Sequence, residues 1–398
     1  MSQHSLIGHI RVRVAEPLVG RDPREPHRAA TPLELFFDLV FVVAVALASE
    51  RLHHGLTEGA VGSSVISFAL VFFAIYWAWV NFTWFASAYD NDDLVFRLFV
   101  FVTMTGALIF AAGVPLVFDH RDFTVVVAGF VVMRLALITQ WLRVAAADGP
   151  RRHTGRRFAA GLGTLQLAWL GLLWLPDGLQ LAGWVVLALG ELAVPIWAES
   201  ATPTTWHADH IVERYGLFMI IVLGESVLAA SIALQTVTTD GGATASVVPV
   251  LVGGLLVLFV SWWVYFDRPG DPMLASLPAT FLWSYLHLLV FASAAAVGAG
   301  LAVAIEGGLH PGELGPVARA MTVAIPFASY LLCLWAMHGG SHPTALGKFG
   351  IPVVAALVLA ATLTPWPVLL MGAAATAWVA AKTGERLRRQ ESARGVSP

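Results

Sequence analysis

Titratable side chains set inside long apolar runs are the part of this sequence most able to do chemistry. Glu34 and Asp38 stand four residues apart in TPLELFFDLVFVVAVA (31 to 46), so a helix puts them on one face. A carboxylate in such a run must be capped, paired or protonated. In HADHIVERYGLFMIIVLGES, His207, His210, Arg214 and Glu225 are spaced three, four and eleven residues apart, again one face, with Glu213 nearby. Asp38 lies roughly 8 Å and Glu225 about 21 Å inside their segments, beyond the reach of a terminal cap. Arg134 and Glu191, each roughly 18 Å deep in separate segments, are expected to pair. Asn81, Asp90, Asp92, Asp93 and Arg97 gather at the end of another run, and His287 sits roughly 12 Å into a further one.

Two chemistries suit these groups. One is a proton relay, because burial brings a carboxylate's titration toward neutral pH, with Asp38 or Glu225 changing protonation during a cycle. The other is a divalent metal holding a phosphorylated headgroup, with Asp90, Asp92, Asp93 and Arg97 opposite His207, His210, Glu213 and Arg214. That spacing matches no strong metal motif, and H-x-x-H-x-x-E is not the zinc-protease H-E-x-x-H. Structural roles compete at several positions. Thr31, Pro32 and Glu34 fit a capping box, Asp92 or Asp93 fits a helix cap with Arg97 pairing to Asp93, and Trp and Tyr near Asp90 fit an interfacial belt. Arg134 with Glu191 fits a structural clamp, and a lone His287 fits a packing residue.

The elements that must position these residues are membrane helices. Of 398 residues, 58% are hydrophobic and 12% charged, far from the composition of a soluble domain. The chain reads as all-α and polytopic, with about twelve transmembrane helices, from 33 to 52 through two short, Pro-bounded segments ending at 382. Strand-like alternation is missing, so a barrel is excluded. Five arginines precede the first helix (Arg11, Arg13, Arg21, Arg24, Arg28), five lie between the fourth and fifth, and five basic residues end the chain; with Arg268 and Lys348 one side holds seventeen, against Arg51, Arg121 and Arg319 on the other. Positive residues stay in the cytoplasm, so both termini belong there and the number of crossings is even. Cys333, the only cysteine, rules out an internal disulfide. No G-x-x-x-x-G-K loop for ATP occurs, and the basic tails need no nucleic-acid partner.

The polar features recur: Glu34 and Glu213 open helices 179 residues apart, and aromatic runs end at Asp90 and Asp267. This suggests two six-helix repeats of the same orientation, a basic tail over 1 to 30, halves over 31 to 199 and 211 to 382, a linker over 200 to 210 and a second tail over 383 to 398. Glu34, Asp38, Asp90, His210, Glu213 and Asp267 should then gather at the cytoplasmic end.

TPLELFFDLVFVVAVA, WVNFTWFASAYDNDD (79 to 93), HIVERYGLFMIIVLGES (210 to 226), WWVYFD (262 to 267) and YLHL (285 to 288) together resemble the bacterial low temperature requirement protein A family. The resemblance covers about residues 30 to 380. It implies a polytopic inner-membrane protein without an assigned activity, whose recurring polar positions fall here on Glu34, Asp38, Asn81, Asp90, Asp92, Arg97, His210, Glu213, Arg214, Gly224, Glu225 and His287. The favoured function is a proton-coupled secondary transporter of a small solute. The alternatives are an intramembrane enzyme on a lipid or isoprenoid phosphate, and a structural or regulatory membrane protein. No cofactor is expected, a divalent metal belonging only to the enzyme reading. The expected partners are the bilayer and an unknown small molecule, and the sequence is silent on oligomeric state.

Overall fold

A computed structural model describes residues 14–26, 28–239, 247–267, 274, 276–309, 313–338 and 344–395. Arg11, Arg13, Arg268 and His342 lie outside them. Among the described residues there are twelve helices and no strand. They are α1 (Pro32–Thr57), α2 (Val61–Tyr89), α3 (Leu94–His120), α4 (Thr124–Ala147), α5 (Arg152–Leu172), α6 (Asp177–Glu199), α7 (Ala208–Thr239), α8 (Val248–Phe266), α9 (Leu277–Leu309), α10 (Pro316–His338), α11 (Ala345–Ala361) and α12 (Pro367–Gly395). Eight of these described helices, α1 to α4, α6 and α8 to α10, are long and apolar enough to cross a bilayer. α5 opens on Arg152, Arg156 and Arg157, and α11 has only 17 residues.

Local chemistry sets the helix ends. α1 starts on a capping box: the Thr31 amide donates to Glu34 Oε2 at 2.8 Å, and the Glu34 amide donates to Thr31 Oγ1 at 3.2 Å. It continues past the expected residue 52, through Gly55, to Thr57; Gly59 beyond it takes a φ of 77°, which suits a residue without Cβ. α7 is capped by His207, whose Nδ1 accepts from the His210 amide at 3.3 Å. The two short C-terminal segments are separate helices, and α12 runs well beyond 382 as a charged extension.

The chain divides into two compact units. The first comprises Met1–Phe41, Trp77–Gly113 and Phe123–Ile211; the second comprises Val42–Tyr76, Val114–Asp122 and Val212–Pro398. In the first, α4, α5 and α6 pack in succession. There α3 and α4 approach closely because both lack a side chain at the crossing: a Cβ at Gly129 would lie 2.6 Å from the Gly106 carbonyl oxygen. In the second, α8 packs on α12, α9 on α10, and α11 on both α10 and α12.

The interfacial belt expected near the end of α2 is largely absent. Tyr76, Trp77, Trp79 and Tyr89 are all buried within the protein. Counted back from Tyr89, Trp77 and Trp79 lie about 18 and 15 Å inside the helix, too deep for a headgroup position.

Candidate functional site

The densest buried titratable cluster of the first unit forms where α1 and α7 begin. Glu34 Oε2, already accepting the Thr31 amide, lies 3.3 Å from His210 Nε2, and neither side chain is more than 2% exposed. One oxygen therefore caps α1 and reaches α7. A carboxylate and an imidazole this close can hold one proton between them, as imidazolium and carboxylate or as a neutral pair.

Asp90, just past the end of α2, extends the cluster. Its carboxyl is 4% exposed and its Oδ1 accepts the Asp92 amide at 2.8 Å. Burial, reinforced by the nearby Glu34 charge, pushes it up to about 6, while the Asp92 amide and Arg28 pull the other way. Asp90 thus changes charge close to physiological pH. Burial and the neighbouring Arg21 charge lower Arg28, and Glu34 and Asp90 oppose them.

The N-terminal segment, expected to be only a basic tail, closes this end of the unit. The last carbonyls of a helix run short of intrahelical donors; at the end of α2 the Ala86 carbonyl still takes the Asp90 amide at 3.0 Å, and the strap adds further donors. The Arg21 amide donates to the Ala88 carbonyl at 2.9 Å, its guanidinium to the Asp90 carbonyl at 2.8 Å, and Arg28 Nη2 to the Ala86 carbonyl at 2.9 Å. Upstream, the amides of Glu16 and Gly20 donate to the buried carboxylates of Asp93 and Asp148. A Cβ at Gly20 would sit 3.2 Å from Arg151 Nη1 and 3.3 Å from Asp148 Oδ2, so the strap lies close at that point. His207 completes it. Because Nδ1 accepts from α7, Nε2 carries the proton and donates to the Glu25 carbonyl at 2.9 Å.

Asp38 is fully buried one turn deeper, its Oδ1 accepting Trp79 Nε1 at 2.7 Å. Arg134 and Glu191 form an ion pair at 3.0 Å, and Glu191 also accepts the indoles of Trp77 at 2.8 Å and Trp169 at 3.1 Å.

Several expectations change. Asp93, not Asp92, caps α3, accepting the Phe96 amide, and it pairs with Arg143 at 2.6 Å rather than with Arg97. These hydrogen bonds outweigh burial and hold the Asp93 carboxyl below its ordinary range. Arg97 instead grips Asp92 through two bonds of 2.8 and 2.6 Å on the exposed surface; Asp92 tolerates its φ of 54° as Asp and Asn commonly do. Asn81 donates to the Trp77 carbonyl of its own helix. Of the six groups expected to gather, four belong to the first unit, where Glu34, Asp90 and His210 meet and Asp38 lies one turn away; the other two belong to the second. Glu213 is exposed, and Asp267 binds Lys382 at 2.7 Å and Arg386 at 3.2 Å, anchoring α12 within the second unit.

The remaining candidates belong to the second unit. Arg214 is fully buried and Glu225 is half-buried. His287 is buried among the rings of Trp283, Tyr215, Phe291 and Tyr265, at 4.1 to 5.9 Å. Its Nδ1 donates to the Trp283 carbonyl at 2.8 Å, which places the lone pair of the neutral ring on Nε2. Beside it the Tyr215 hydroxyl meets Ser284 Oγ at 2.8 Å, and the Tyr76 hydroxyl donates to the Ser284 carbonyl.

Sequence reasoning missed Trp77, Trp79 and Trp169 as donors, along with Arg28 and the strap. Depth counting would have found the first two, since an indole N–H so far inside a membrane helix needs an acceptor. Among the described residues no group of three or more His, Cys, Asp and Glu is placed to hold a metal ion.

A helical bundle with several membrane-length helices and a buried carboxylate–histidine cluster defines a multi-pass membrane protein. Residues 29–383 match the model of the family described as bacterial low temperature requirement A protein (LtrA), and the chain belongs to that family. It is also 28% identical over 302 residues to an uncharacterized protein of Rhizobium meliloti (strain 1021), RA0937, covering 71% of this chain and 70% of that protein.

Proposed function

We propose that this protein is a proton-coupled secondary transporter of a small solute in the bacterial inner membrane, with twelve crossings and both ends in the cytoplasm. The observation that carries the reading is Glu34 Oε2 held 3.3 Å from His210 Nε2 in a buried site beside Asp90, which titrates at about 6. Three proton-binding groups at the meeting of three helices can take up a proton and release it when those helices rearrange. Because Glu34 Oε2 also caps α1, protonation there weakens the cap and ties the proton to the position of the helix. The excess of Arg and Lys on one side supports the orientation, and the recurrence of polar features at intervals near 178 residues supports two same-facing sets of six helices. Asp38 and Glu225 are proposed as the deeper groups of the path.

The test is solute-linked proton uptake in proteoliposomes containing a pH dye, run over a panel of small amines, carboxylic acids and sugars. At least one solute is expected to acidify the lumen with wild-type protein and fail to do so with folded Glu34→Gln. Solute flux without proton movement in wild type would refute the coupling.

A further inference from the structure

A second buried polar cluster lies among α4, α5 and α6, independent of the transport reading. Glu191 accepts from three donors, but Arg134, 2% exposed, uses only Nη2 on it. Arg134 Nε and Nη1 and both amide atoms of Gln166, itself 4% exposed, have no hydrogen-bond partner among the described residues. Leaving four such atoms dry costs far more than their neighbours return.

The packing brings these atoms to one level. Phe130 meets Trp169 at 6.0 Å, and eleven residues further along α4 Trp141 stacks on Phe158 at 4.0 Å, eleven residues back along α5. That antiparallel register sets Gln166 within one residue of level with Arg134. On the other side, a Cβ at Gly190, next to Glu191, would lie 2.9 Å from Leu165, next to Gln166.

We propose that Arg134 and Gln166 line an internal hydration site whose ligand is water. The charge balance decides the class. Glu191 already neutralises Arg134, so an added anion would bury net charge at this depth. Water adds none. It accepts from Arg134 and the Gln166 amide nitrogen, and donates to the Gln166 oxygen, making the roughly three hydrogen bonds usual for buried water.

The experiment is X-ray radiolytic hydroxyl-radical footprinting of the purified full chain, read by mass spectrometry. Bound water activated in place labels side chains that bulk solvent cannot reach. Phe130 and Trp169, each 5% exposed, are expected to label several-fold faster than the comparably enclosed Phe158 at 5% and Trp141 at 4%, one control of each ring type. In Gln166→Leu the excess at Trp169 should disappear. Equal rates at all four rings in wild type would overturn the proposal, as would an excess that survives in folded Gln166→Leu. Should that variant fail to fold, the wild-type comparison decides alone.

Discussion

Replacing Asp90 by Asn removes a carboxyl that the fold holds at about 6 against an ordinary 3.8. A raised pKa means that the folded state binds the proton more tightly than the unfolded chain, so the acid favours folding at low pH and costs stability as pH rises through the window from about 4 to 6. At about 1.4 kcal/mol per pH unit, the full cost above that window is about 3 kcal/mol. This figure already contains the opposing pull of Arg28 and the Asp92 amide. The amide of Asn keeps the oxygen that accepts from Asp92. Asp90→Asn is therefore expected to be more stable than wild type by about 1 kcal/mol at pH 4.5, rising to about 3 kcal/mol at pH 8. Denaturant unfolding in detergent micelles at pH 4.5, 6 and 8 measures it. A difference that stays flat, or shrinks as pH rises, would refute the reasoning.

Further outcomes follow from the buried contacts. Glu191→Gln should destabilise by about 3–5 kcal/mol in equilibrium unfolding, because it strands the Arg134 charge. Joint replacement by Arg134→Met and Glu191→Leu should recover part of that loss, the indoles of Trp77 and Trp169 then lacking an acceptor. Trp79→Phe removes the donor to Asp38 and should cost about 1–3 kcal/mol in the same assay, with Asp38→Asn lessening the penalty. Gly129→Ala, by forcing a methyl against the Gly106 carbonyl, should cost about 1–3 kcal/mol and lower the melting temperature.

Helix content was legible because a membrane helix announces itself over some 20 residues of composition, whereas the site depends on pairings that composition does not encode. Equal depths led to Arg134 with Glu191, and a capping signature led to Thr31 with Glu34. Both are short-range arithmetic on helix rise. Nothing local tells Asp93 to choose Arg143, fifty residues away, over Arg97 in the next turn; the choice follows from how α3 and α4 pack. The strap was hidden for a related reason. Its arginines fit the charge asymmetry of the loops and also bond the buried carbonyls at the end of α2 and just past it, and a sequence displays only the first. The indoles of α2 were assigned to an interface by residue type, although depth counting already placed them in the interior.

We propose that the cluster of Glu34, His210 and Asp90 binds and releases a proton, with Asp90 titrating at about 6. Its most direct test needs no substrate: proteoliposomes adsorbed on a solid-supported membrane are stepped from pH 8 to pH 6, and the transient charge displacement is recorded. The account expects a transient in wild type that is largely lost when Glu34→Gln is combined with Asp90→Asn in a folded protein. An undiminished transient in that double variant would contradict it.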